Sequence, residues 1–196
     1  MKSASLVIGT VVLSTTVLFL CNFSKPRHPV DLHALQEVVE VLSSQDFNGR
    51  NAGSIQDSAI ASYIANRMAS YGFEPYFSEG SLHRFRYRNV GSWNVVMVYR
   101  GKNASGSILV GAHYDHLGMG GPGSGSLKPD TMAFHPGADD NASGVSAAME
   151  AARLLKETTT RKRLKKNIIF AAFGAEEKGT IGSAILADTL EKMGSL

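Results

Sequence analysis

The sequence predicts an α/β protein, and the order of three segments carries that prediction. Residues 107–112 (SILVGA) read as a strand, residues 144–157 as a helix rich in Ala and Leu, and residues 167–173 (NIIFAAF) as a further strand. Strand, crossover helix and strand form a βαβ unit, in which the two strands run parallel. NIIFAAF is apolar at nearly every position, as a strand covered on both faces is. Composition agrees: of 196 residues 43% are hydrophobic and 19% charged, which supports a packed core and excludes wholesale disorder. The length suits one domain.

The other elements follow in chain order. Lys2 precedes an apolar run over residues 6–20, shorter than the roughly 20 residues of a bilayer span but normal for a signal segment. Residues 1–24 are therefore expected to be a signal peptide or a membrane or lipid anchor, and residues 25–196 the working domain. That expectation places the protein outside the cytoplasm: secreted, periplasmic or anchored on the outer face. Cys21 stands where a lipoprotein signal carries its acylated cysteine, although the preceding Leu18-Phe19-Leu20 lacks the small residue such a site prefers; cleavage near Ser24 and an uncleaved anchor are the other readings. It is the only cysteine, which excludes an intrachain disulfide framework and a thiolate zinc ribbon. Asn22, Asn103 and Asn141 open glycosylation sequons, relevant only in a eukaryotic secretory host.

After a proline-bearing linker at 25–29, a helix is expected over 31–43 with Leu32, Leu35, Val38, Val39 and Leu42 on one face. Gly49-Arg50-Asn51-Ala52-Gly53 breaks the pattern. A second helix over 54–71 carries Ile55, Ala59, Ile60, Tyr63, Ile64, Arg67 and Met68 in register, and Gly72 closes it. Residues 94–99 (NVVMVY) read as a strand, separated from 107–112 by the turn Gly-Lys-Asn-Ala-Ser-Gly. Ser143 is placed as the N-cap of the helix at 144–157. The basic run 161–166 joins that helix to the last strand and lacks interleaved aromatics, so it reads as a solvated loop. A final helix is expected over 181–193. With 20 basic against 17 acidic residues the net charge is +3, too mild to imply nucleic acid or another polyanionic partner.

Chemistry gathers in three loops at strand ends, where open α/β sheets place ligands. His113-Tyr114-Asp115-His116 ends one strand, Gly137-Ala138-Asp139-Asp140-Asn141-Ala142-Ser143-Gly144 precedes the crossover helix, and Gly174-Ala175-Glu176-Glu177-Lys178-Gly179 follows the last strand. Carboxylates converging in this way repel unless protonated or bound to cations. Mixed imidazole and carboxylate donors suit zinc, with manganese or cobalt as looser alternatives. Asp115, two residues beyond His113, is near enough to orient its imidazole. Adjacent Glu176 and Glu177 on an irregular loop can divide two tasks, one binding metal and the other taking a proton from water. His116 and His135 flank the glycine-rich loop and read either as substrate contacts or as plain surface. Residues 118–123 satisfy G-x-G-x-x-G, but no helix start follows; H-E-x-x-H and the G-x-S-x-G elbow are missing from the sequence.

AHYDH (112–116), PGADDNASG (136–144) and FGAEEKGTIGS (173–183), in that order and spacing, resemble the co-catalytic zinc exopeptidase family of aminopeptidase Y and bacterial leucyl aminopeptidases. Looser similarity extends forward through Asn94-Val95-Val96 and the Gly49-Arg50 break to about residue 31. The resemblance implies a three-layer fold with a mixed, largely parallel sheet flanked by helices. It implies zinc, two ions in the full-length family member, with His113 on the first ion, Asp140 bridging both and Glu177 on the second. Glu176 would be the general base, Asp115 the group orienting His113, and the substrate a peptide opened from one end, as by an aminopeptidase. The family carries two further ligands downstream, an Asp and a His, whereas 19 residues follow Glu177 and none is His. The expectation is thus a domain incomplete at its C-terminus: a fragment, or a truncated product with a partial metal site. Glutaminyl cyclases, which use one zinc, and non-catalytic ectodomains are the related alternatives.

Overall fold

The structure is a computed structural model that describes residues 29–160 and 162–194; the expected export segment lies outside the described residues. Helix α1 (Leu32–Leu42) starts at Asp31, whose side chain accepts from the N–H groups of His33 and Ala34, the bonds an N-cap aspartate makes. Val38 and Leu42 are buried, but Leu32 is 74% exposed, because the first turn overhangs the core. Helix α2 (Asp57–Ser70) begins three residues later than the pattern suggests. Ile55 lies in the preceding turn, 89% exposed, and is no part of the buried face. Gly72 closes α2 with φ +81°, its N–H on Ala69 O.

Five strands form one sheet: β1 (Glu74–Pro75), β2 (Leu82–Tyr87), β3 (Val90–Tyr99), β4 (Ser107–His113) and β5 (Asn167–Phe173). The path is β1-β3-β5-β4, with β2 also paired to β3. The βαβ unit is present: β4 and β5 are parallel, joined through α3 (Ser143–Thr158). The sheet is mixed, and among the described residues three of its four pairings are antiparallel. The antiparallel share comes from the β2–β3 hairpin, whose two-residue turn places Arg88 at φ +51°, and from β5 inserting between β3 and β4. The loop at 101–106 therefore spans one strand rather than closing a hairpin.

Helices α1, α2 and α3 cover one face of the sheet around Val95, Met97 and Phe170; α4 (Ile181–Lys192) covers the other with Leu186 and Leu190 against Val96, Val98 and Ile169. Strand β3 is buried on both faces as a result. Ser143 does not cap α3. It is already helical, and its hydroxyl donates to Asp139 O at 2.7 Å, because the preceding turn over Ala138–Ala142 holds this segment through its backbone. No helix among the described residues is long and apolar enough to cross a membrane.

Candidate metal centre

The three loops meet at the C-terminal ends of β4 and β5. His113 is the last residue of β4, and its Nε2 lies 3.0 Å from Asp140 Oδ1 and 3.9 Å from Glu176 Oε2. His116 Nδ1 lies 2.7 Å from Glu177 Oε1. One donor atom each from His116, Asp140 and Glu177 falls within 4.8 Å of the others. Asp140 therefore stands between two imidazoles. All four sequence-predicted ligands and base, His113, Asp140, Glu176 and Glu177, come together, and His116 joins them.

Asp115 is fully buried behind this cluster. Its carboxylate accepts the N–H of Glu176 at 2.9 Å and of Glu177 at 3.2 Å, so it pins the two glutamates. Toward His113 the nearer contact is the Asp115 backbone carbonyl, 3.2 Å from Nδ1, while the carboxylate is 3.8 Å away. Burial pushes the Asp115 carboxyl up to about 7, opposed by those two N–H bonds and by His113. Tyr114, between them, points inward, its hydroxyl donating to Asp57 Oδ1 at 2.5 Å with Trp93 O also within 2.9 Å, which turns His113 and Asp115 to the site side.

Two residues outside the motifs hold the loops. Arg50, 1% exposed, donates to the carbonyls of Tyr114, Leu42, Pro136 and Gly137 at 2.6–2.7 Å, bridging the His113 and Asp140 loops. Burial lowers its guanidinium to about 10, opposed by Asp115, Asp140 and Glu177, so it stays charged at neutral pH. Asn94 on β3 accepts Gly174 N–H at 3.2 Å and donates to Gly182 O at 2.8 Å, fixing where the Glu176 loop leaves β5 and enters α4. Sequence reading left both without a role; the only signal was the similarity around Gly49-Arg50 and Asn94.

The donor set fits zinc. A catalytic zinc takes about three protein ligands of imidazole and carboxylate type and keeps one position open. His116, Asp140 and Glu177 are such a set, and His113 Nε2 also lies 3.0 Å from Asp140. The cluster is reachable, since the Asp140 side chain is 62% exposed.

Residues 94–194, just over half the chain, match peptidase family M28, and the chain belongs to that family. Among curated relatives, the uncharacterized protein YfbL of Escherichia coli is 31% identical over 178 residues, 86% of this chain and 48% of that protein. Aminopeptidase YwaD of Bacillus subtilis is 34% identical over 116 residues, 58% of this chain and 21% of that protein. LapB from Legionella pneumophila superposes with a TM-score of 0.61 at 25% identity, over 85% of this chain and 41% of that one. Porphyromonas gingivalis glutaminyl cyclase shares the fold, with a TM-score of 0.58 at 22% identity over 78% of this chain and 50% of that one. The chain thus spans half or less of the length of these relatives.

Proposed function

We propose that this chain carries the metal-binding core of a zinc-dependent exopeptidase, an aminopeptidase that releases residues from the N-terminus of peptides. The observation that carries the reading is Asp140 within reach of both His113, at 3.0 Å, and the His116–Glu177 pair, with Glu176 Oε2 3.9 Å from His113 Nε2. Two zinc ions are proposed, His113 on one, Glu177 on the other and Asp140 shared. Zinc held there supplies a Lewis acid and makes water a competent nucleophile at neutral pH. Glu176, with its side chain 36% exposed and one oxygen facing His113, takes the proton from the attacking water and passes it to the leaving amine nitrogen. Asp115 keeps Glu176 and Glu177 aimed at different points by holding both backbone N–H groups.

Export is part of the proposal and is supported by Lys2 followed by the apolar run 6–20. The family membership and the aminopeptidase among its relatives favour hydrolysis over glutaminyl cyclisation. The test is to offer the zinc-supplemented protein peptides with a free N-terminus, including one beginning with glutamine, and to identify products by mass. Free N-terminal residues, abolished by a chelator, are expected. A cyclised glutamine peptide with no residue released contradicts hydrolysis.

A further inference from the structure

The resemblance gives His116 no part, yet the structure seats it among the ligand donors. We infer that His116 is itself a zinc ligand, and that His116, Asp140 and Glu177 form the tighter of the two metal positions in this chain. The inference rests on the zinc reading above and goes further by naming a ligand and an order of occupancy.

Three observations carry it. First, the donor atoms of His116, Asp140 and Glu177 lie within 4.8 Å of one another, a span that bonds of about 2.0–2.2 Å from a single ion close with small side-chain rotations. The opposite position has only His113 and Asp140 at 3.0 Å, with Glu176 farther off at 3.9 Å. Three donors hold an ion more firmly than two, so the His116 position fills first.

Second, the ring is set in place before any ion arrives. The His116 backbone N–H donates to Arg50 O at 2.9 Å, and the side chain is only 12% exposed. Gly137 has φ +56°, and a Cβ there would stand 2.5 Å from His116 Cδ2 and 2.6 Å from Arg50 Nη2. A side chain at 137 would displace the ring, so the glycine leaves the space that His116 fills. Third, the chemistry is right. An imidazole and two carboxylates are the donor types that suit zinc, and Arg50 behind them is committed to four carbonyls.

A bond from Nδ1–H to Glu177 is the competing account of the 2.7 Å contact, and the position of one proton separates the two. The experiment is long-range proton–nitrogen correlation on the protein with labelled histidines, titrated with zinc chloride, with His113→Ala and His116→Ala used to assign signals. The expected result is that His116 Nδ1 carries no proton in the zinc-loaded protein and its signal moves with the first equivalent, before that of His113. In parallel, His116→Ala weakens the first zinc by more than about 100-fold, beyond the 10–100-fold that losing a group behind the ligands costs. A protonated Nδ1 with zinc bound, or a smaller loss, overturns the inference while leaving the zinc reading intact. If zinc moves neither histidine, the zinc reading itself fails.

Discussion

At the residue scale the site divides into groups that face the reaction and groups that hold them. Glu176 is the proposed base: Glu176→Gln keeps the shape, removes the carboxylate and leaves His113, Asp140 and Glu177 in place. The expected outcome is a kcat lower by about 10²–10⁴ with zinc content unchanged, read from parallel peptidase and metal assays. Arg50 holds. Arg50→Met removes the donors of two buried carbonyls (Tyr114, Leu42) and two part-buried ones (Pro136, Gly137), at about 1–3 kcal/mol for each buried one left unsatisfied, so a loss above about 2 kcal/mol is expected in urea unfolding. A loss below 1 kcal/mol would mean that water replaces the guanidinium. The two kinds of residue were unequally legible. His113 and the Asp139-Asp140 and Glu176-Glu177 pairs sit in short motifs whose residue types suggest metal binding, and the family resemblance then assigned a role to each. The role of Arg50 depends on carbonyls 64, 86 and 87 positions away, and a carbonyl leaves no mark in a sequence.

At the element scale the junction of α1 with α3 is held by charge. Glu150, 5% exposed, accepts the Asp31 N–H at 2.7 Å and pairs with Arg153 at 2.6 Å. Arg153, and then the Asp31 N–H, hold its carboxyl below the usual range against the cost of burial. A carboxyl lowered on folding stabilises the protein above its unfolded value of about 4.3, and that contribution is lost as pH falls through the folded value. Glu150→Gln is therefore expected to cost about 1.5–3 kcal/mol at pH 7. The gap to the parent should narrow as pH falls below about 4; a gap constant from pH 7 to 3 would show that the charge contributes nothing. Helix and strand positions were largely legible, since apolar periodicity sets them. Strand β2 was not, because Arg84 and Arg86 alternate with His83, Phe85 and Tyr87 and dilute the apolar signal. Cap chemistry at Ser143 was misread because the preceding turn already supplies the backbone bonds.

At the scale of the whole molecule one edge of the described sheet is apolar and exposed. Strand β4 ends the described sheet, and Ile108, Leu109 and Val110 are 51%, 39% and 40% exposed. An edge this apolar pairs with other chains unless it is covered or charged. Leu109→Lys is expected to reduce concentration-dependent self-association in light scattering; no change would place its cause elsewhere. The βαβ unit could be read from segment order, because a helix between two strands fixes their parallel sense. The insertion of β5 between β3 and β4 could not, since strand neighbours are chosen by packing across the whole sheet.

The claim that unites these scales is that the three loops close on zinc through Asp140. Its most direct test is zinc retained per chain after exhaustive dialysis, compared between the parent protein and Asp140→Asn. The account predicts bound zinc in the parent and little or none in the variant, with the fold unchanged by circular dichroism. A parent that retains no zinc, or a variant that retains as much, would contradict it.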